Sequence, residues 1–403
     1  MREQEERQRE RGIGPLGAGF GRPCGGEVLA AFRRALEETA REPRPGRKGF
    51  VGEGNPLRAL FLGFGNVGRQ IGEILTDRPA WPGLADLDLS LVGIVTRSRG
   101  CLADPRGVDL PRALAELRAG GRFAPENPQA AGLDGLTAAR NLDYDVLVEI
   151  STLNVEGRGH PAIDHVRAAL ERGRHAITAN KGPVAWAHRE LSDLAREKGV
   201  RFLKETTVMD AVPIFNLKEF CLRGCRIREV EGILNSTSNW VLQGLEEGMS
   251  LEAAVRRAQE AGIAEADPSL DLEGWDCAVK VAALANGLLA ADDPACPDLT
   301  PESIERGGVA DFTPERVAEA KRRGFRYKMI GRACRDDSGA LRGRVAVEEV
   351  PLDHPYALVG GTSAVLTLRT DLLQEFRLVE EGTTLVPTAY GVLSDLLTLR
   401  AGL

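Results

Sequence analysis

Histidine and cysteine are sparse in this chain of 403 residues, with five of the first and seven of the second. The cysteines are scattered and form no CxxC pair. Cys221 and Cys225 lie four apart with no second pair or histidine beside them. That spacing excludes a disulfide framework or a structural zinc and fits a reducing cytoplasm. His160, His165, His175, His188 and His354 show no metal spacing and no nucleophile partner, so none is given a catalytic role. There is no excess of positive charge either. Lys and Arg total 52 against 59 Asp and Glu, a net charge of −7, which argues against a dedicated nucleic-acid binder. No run approaches the roughly 18 apolar residues that span a bilayer. Residues 1–11 are too charged, and lack the apolar core, for a secretory signal. No internal repeat is apparent. A hydrophobic fraction of 43% and a charged fraction of 28% describe a chain that buries a sizeable core, at a length suited to two or three domains.

Residues 1–56 read differently from the rest. Glycines crowd positions 12–26, and Pro43, Pro45 and Pro56 follow; such composition buries little and predicts a mobile extension. One piece, Val28 to Arg41, has helical periodicity. Translation starting near Leu57 is one expectation that intact mass would test. From Leu57 the pattern alternates strand and helix signals: apolar runs at 57–63, 89–96, 145–150 and 175–178, with helices starting at Val67 and spanning 160–172. Such alternation predicts βαβ units and a parallel sheet, hence an α/β fold. Further strands and a helix are expected over 201–235, helices over 251–261 and 275–290, a strand pair joined at Asp336–Gly339, and an amphipathic helix over 389–401.

Gly63-Phe64-Gly65-Asn66-Val67-Gly68 follows an apolar strand and opens a helix. In a dinucleotide site, the first glycine makes the tight turn and the second lets the pyrophosphate approach the backbone. The third lets helix and strand pack closely. The helix N-terminus offers free N–H groups to phosphate. A purely structural turn is the alternative. At the end of the second strand an NAD enzyme usually carries an acid for the ribose hydroxyl. This chain has Thr96-Arg97-Ser98-Arg99, and a guanidinium matches a phosphate. NADPH is therefore favoured and NADH kept possible; the alternative is that both arginines are solvated loop residues.

Two further stretches are dense in polar residues: 178–183 (TANKGP), directly after a strand, and 261–274 (AGIAEADPSLDLEG), entering a helix that holds Asp276 and Lys280. These two are i,i+4 and share a helix face. A surface ion pair has the same spacing and contributes little, but the following turns are almost wholly apolar, so the helix is expected to be buried. Buried charges need partners or a ligand.

From Leu57 onward the chain resembles homoserine dehydrogenase. The resemblance rests on GFGNVG, on HAITANKGPVA (175–185), KETTVMDAVPIFNL (204–217), GILNSTSNW (232–240) and AGIAEADPSLDLEGWDCAVKVAALA (261–285). It implies reduction of L-aspartate 4-semialdehyde to L-homoserine with NAD(P)H, for threonine and methionine synthesis, by a Rossmann-type nucleotide-binding domain plus an α+β catalytic and dimerisation domain. The boundaries it implies are 57–184, 185–375 and a segment 376–403 returning to the first domain. By resemblance Lys280 is the proton donor and Lys181 the second catalytic lysine. Glu265 and Asp276 are substrate ligands, with Gly262 and Asp271 nearby. The resemblance implies cofactor contacts at Gly63 to Gly68, Ser151, Thr152, Lys181, Gly262, Glu265 and Gly382, to which the strand-end reading adds Arg97. Glu205, Val208, Asp210 and Val212 match a structural sodium site. A homodimer is implied as well.

Three departures stand out. The family's VGGGIP is VMDAVP here (208–213), its GTTN is STSN (236–239), and its late GPGAG is EEGTT (380–384). The chain stops just after PTAYGVLSDLLTL (387–399), so regulation by threonine through a C-terminal ACT domain is not expected. Another semialdehyde as substrate, and a non-catalytic nucleotide sensor, are the competing readings. The sensor has no need of Lys181, Glu265, Asp276 and Lys280 together.

Overall fold

The computed structural model describes residues 55–402, apart from 294 and 383. The expectations for the extension therefore lie outside the described residues, save for its last two positions. The first half runs β1 (Leu57–Leu62), α1 (Asn66–Thr76), β2 (Leu89–Val95), β3 (Cys101–Ala103), α2 (Leu110–Gly120), α3 (Gly135–Asn141), β4 (Val146–Glu149), α4 (Ala162–Glu171), β5 (His175–Thr178), α5 (Gly182–Lys198) and β6 (Phe202–Leu203). Its strands form one sheet in the order β3-β2-β1-β4-β5-β6, parallel except for β3 against β2. β1 is buried at Leu57 and throughout Ala59–Leu62, the near-continuous apolar run of a strand covered on both faces. The register aligns Leu62 with Val95 and with Glu149, and Glu149 with Thr178. The carboxyl ends of β1, β2, β4 and β5 thus lie in one row, where an open parallel sheet binds its ligand.

The second half runs β7 (Ile227–Ile233), α6 (Ser236–Glu246), α7 (Leu251–Glu260), α8 (Ser269–Leu272), α9 (Trp275–Leu284), β8 (Glu305–Arg306), α10 (Pro314–Arg322), β9 (Phe325–Arg335), β10 (Leu341–Pro351), β11 (Ala364–Thr370), β12 (Glu375–Glu380) and α11 (Leu385–Arg400). Its sheet has the order β12-β11-β7-β9-β10-β8. β9 and β10 form the hairpin expected at Asp336–Gly339, where Asp336 Oδ1 accepts the N–H groups of Ser338 and Ala340. The fold is thus mixed α/β: a Rossmann-type sheet plus an α+β catalytic part.

Three differences from the sequence reading have local causes. Over 201–235 the helix becomes a 3₁₀ turn at Glu205–Thr207 and a π turn at Leu217–Cys221. The helix at 275–290 is α-helical only to Leu284 and widens into a π turn at Ala285–Leu289. There Asn286 turns inward and donates to the carbonyls of Val184, Ala185 and Leu299. The last helix starts at Leu385 rather than 389, because Pro387 is tolerated in a first turn whose N–H groups have no helical acceptor. This helix buries Ala389, Val392, Leu393, Leu396 and Leu399 in the same core as β1, α1 and α2.

Helix α9 lies close against the second sheet at Gly331 of β9. A Cβ there would sit 2.5 Å from Val281 Cγ2 and 2.8 Å from Cys277 Sγ. That contact fixes one side of the helix and leaves Asp276 and Lys280 for the other.

Candidate active site

The glycine turn follows β1 directly. Gly63 has φ +97°, and a Cβ on it would lie 2.6 Å from the carbonyl carbon of Ile150. No other residue fits. A Cβ on Gly68 would lie 2.9 Å from the Phe64 ring and 3.1 Å from the Ile150 side chain, whereas one on Gly65 would have nothing within 4 Å. The first and third glycines are thus needed by the protein's own packing, and the middle one faces open space. No side chain caps α1 and no acid sits in its first turn, so its amides are available to an anion. At the end of β2, Thr96 Oγ1 accepts the Arg99 N–H at 2.8 Å and donates to Gly100 O at 2.7 Å. This tight turn leaves Arg97 exposed.

A cleft of about 250 Å³ opens beside the glycine turn and is lined by Val67, Ser151, Lys181, Val208, Asp210, Lys280 and Thr388. Behind its two lysines lies Asp276. Lys181 Nζ lies 3.3 Å from Oδ1 and Lys280 Nζ 3.5 Å from Oδ2. Asn235 Nδ2 donates to Asp276 Oδ2 at 3.0 Å and to Asp271 Oδ1 at 2.7 Å. Burial alone would raise the Asp276 carboxyl, but Lys280 and then Lys181 hold it well below the usual range. Burial likewise opposes the Lys280 ammonium, yet Asp276, and next Asp210, lift it above its ordinary value. Asp271 is pushed up by burial and then by Asp276. Lys280 also donates to Leu234 O at 2.6 Å. The cluster therefore holds two lysines around one carboxylate, with a second carboxyl, Asp271, that gives up its proton less readily.

Of the residues singled out by sequence, Val67, Ser151, Lys181, Val208, Asp210 and Lys280 meet in the cleft, with Asp276 and Asp271 behind them. Gly262 and Glu265 lie exposed in the loop after α7, where Gln259 holds Glu265 by its backbone carbonyl. Thr152 and Gly382 are also exposed. Asn235, Thr388 and Glu149 were missed. Asn235 had a visible signal, since it caps α6 by accepting the Ser238 N–H at 2.8 Å. Thr388 had none: it donates to Asp210 Oδ1 at 3.0 Å from the far end of the chain.

Among the expected ion ligands, the Glu205 carboxylate accepts the N–H groups of Ile214, Phe215 and Asn216, and Val212 O accepts from Ile214 at 2.8 Å. Two buried oxygens nearby, Thr206 Oγ1 and Asp395 Oδ1, have no partner among the described residues. Asp395 is pushed up to about 8 by burial and then by Glu205. No group of three or more acidic, histidine or cysteine side chains is arranged for a metal among the described residues.

A glycine turn for a dinucleotide feeding a buried lysine–carboxylate cluster defines an NAD(P)-dependent oxidoreductase. The family model described as "Homoserine dehydrogenase, NAD binding domain" matches residues 63–205, and that described as "Homoserine dehydrogenase" matches residues 213–397. The homoserine dehydrogenase of Methanocaldococcus jannaschii is 34% identical over 84% of this chain and 97% of its own. The NAD(+)-dependent homoserine dehydrogenase of Pseudomonas canavaninivorans is 34% identical over 85% of this chain and 96% of its own. Among solved structures, a homoserine dehydrogenase from Thiobacillus denitrificans superposes with a TM-score of 0.68 at 26% identity, covering 88% of this chain and 74% of that one. The chain belongs to the homoserine dehydrogenase family.

Proposed function

We propose that the protein reduces L-aspartate 4-semialdehyde to L-homoserine with NADPH, Lys280 giving the proton. The observation that carries this reading is the Asp276 carboxylate held between Lys181 and Lys280 beside the glycine turn. Gly63 to Gly68 with Ser151 would hold the nicotinamide cofactor, which would supply the hydride when bound. Hydride addition turns the aldehyde oxygen into an alkoxide. Lys280 answers it with both charge and a proton, and Asp276 keeps that lysine protonated despite burial. Lys181 adds a second positive charge at the same cleft. Asp276, with Asp271, gives the substrate's α-ammonium a carboxylate partner, and Glu265 joins it if its exposed loop folds inward on substrate. Running backwards, the same lysine acts as a neutral base, so homoserine oxidation is expected to prefer higher pH.

Arg97 is the group proposed to select the 2′-phosphate of NADPH, being exposed just beyond β2 where that phosphate would lie. Gly262, Thr152 and Gly382 are retained as cofactor neighbours on the resemblance alone, as is a homodimer. A monovalent cation would rest on the carbonyls of Val208 and Asp210, since backbone amides already engage Glu205 and Val212. The oxygens of Thr206 and Asp395 that lack partners fit such an ion.

The test is absorbance at 340 nm with L-aspartate 4-semialdehyde and either NADPH or NADH. Turnover favouring NADPH supports the whole reading. Turnover favouring NADH, the cofactor type in the Pseudomonas relative's name, keeps the reaction and removes Arg97's role. No turnover by folded protein with either cofactor would overturn it.

A further inference from the structure

Glu149 closes β4, and its side chain is wholly buried at 0% exposure. A carboxylate is tolerated at such a position only when donors meet it. Two do. His165 of α4 sets Nδ1 2.7 Å from Oε2, and the Ser151 backbone N–H donates to Oε1 at 2.8 Å. A ring nitrogen facing a carboxylate donates whether the imidazole is neutral or charged. Room for the ring comes from Gly135, the first residue of α3, where a Cβ would lie 2.6 Å from His165 Nε2. The glutamate's own carbonyl accepts the Ala179 N–H at 3.0 Å. Asn180 ties the two loops together, donating to Ser151 O at 3.1 Å and accepting from Gly182 N at 2.8 Å.

Everything attached to Glu149 thus leads to the cleft. Its side chain holds Ser151 and its main chain holds the turn that carries Lys181, and both residues line that cavity. We infer that Glu149 and His165 are a positioning pair, which fixes the Ser151 edge of the cleft in the geometry that receives the nicotinamide cofactor. This rests on the reading of the cleft as an NADPH site. A purely structural pair would also be buried, but it would not need to engage the Ser151 amide, which lies at the edge of the cleft. Losing the imidazole leaves Oε2 without a donor in a buried position, so the carboxylate is no longer held in the orientation that presents Oε1 to the Ser151 N–H.

The test compares wild type with His165→Leu, His165→Asn and Gly135→Ala, measuring NADPH affinity by cofactor fluorescence, thermal stability, and KM and kcat separately. His165→Leu is expected to weaken NADPH about tenfold, the scale of one hydrogen bond to a charged group, with kcat at saturation little changed. In His165→Asn the amide nitrogen sits where Nδ1 was, so affinity returns to within about threefold of wild type. Gly135→Ala pushes the ring away without touching Glu149 and should resemble His165→Leu. Wild-type affinity in both His165→Leu and Gly135→Ala would overturn the pair's role. So would equal losses in the Leu and Asn variants that simply follow their melting temperatures. Should His165→Leu fail to fold, Gly135→Ala against His165→Asn decides by the same readout. A wild-type protein that binds no nicotinamide cofactor overturns the reading of the cleft and the pair with it. Wild-type turnover with unchanged variants overturns the pair alone.

Discussion

The two sides of the cleft are built from different materials. On the nucleotide side, the working groups are backbone amides and the spaces left by glycines, gathered within six consecutive residues, 63–68. On the side proposed to be catalytic they are titratable side chains, Lys181, Asp271, Asp276 and Lys280, joined by ion pairs and by the Asn235 amide. The first kind of site depends on shape and on backbone amides left open to an anion, without ionised side chains of its own. The second depends on which charges are buried together, so a single neutralisation is felt by all its members. The largest effect is therefore expected on the catalytic side. Lys280→Ala should lower the rate by about 10²–10⁴-fold, the worth of a positioned proton donor, with NADPH affinity nearly intact because the glycine turn is untouched. Near-normal turnover in that variant would show that the proton comes from elsewhere.

The nucleotide side can be broken in two distinguishable ways. Gly63→Ala places a Cβ 2.6 Å from Ile150 backbone atoms at φ +97°, and should cost about 2–4 kcal/mol of stability. Gly65→Ala meets nothing within 4 Å in the protein itself, so its melting temperature should stay close to wild type while NADPH affinity falls about tenfold or more. Equal thermal losses in the two variants would mean that the middle glycine serves the fold rather than a ligand. A smaller and more selective effect is expected from Arg97→Ala: NADPH weakened about tenfold and NADH hardly at all. Parallel losses for both cofactors, titrated side by side, would remove Arg97 from 2′-phosphate recognition.

This contrast also explains what could be read without the fold. The glycine turn was legible because its parts are neighbours and each glycine answers a local requirement. Asp276 and Lys280 were legible as a pair because helical spacing puts them on one face. Lys181's contact with Asp276, and Asn235's with Asp271 and Asp276, join segments far apart in sequence, and no periodicity encodes such meetings. The family resemblance named most of those residues without showing who touches whom. It also placed Glu265 with the substrate ligands, whereas the loop carries it in the open. Glu149 and His165 were passed over because His165 shows no metal spacing or nucleophile partner in the sequence, and Glu149 reads only as the end of an apolar strand. Only the strand register, with Glu149 level with Leu62 and Thr178, reveals that their contact lies directly beneath the cofactor row.

The smallest effect tests whether the departure at the end of β12 belongs to the charged side. Glu380 stands where the family has a glycine, and its carboxyl is pushed up to about 7 by burial first and then by Asp210, with Lys280 opposing. An unfolded chain would ionise this group near its ordinary value of about 4.3. Between that value and about 7 the unfolded state releases its proton while the folded state retains it. Glu380 therefore costs stability increasingly as pH rises through this window, and the cost is constant above it. Glu380→Gln keeps the shape without the proton. Its melting temperature, relative to wild type, should gain between pH 5 and pH 8, and the gain should level off above the window. Cofactor affinity, resting on amides and glycines, should not follow that curve. Identical pH slopes in the two proteins would remove Glu380 from the charged cluster, and a matching change in NADPH affinity would mean that the two sides of the cleft are less separate than their construction suggests.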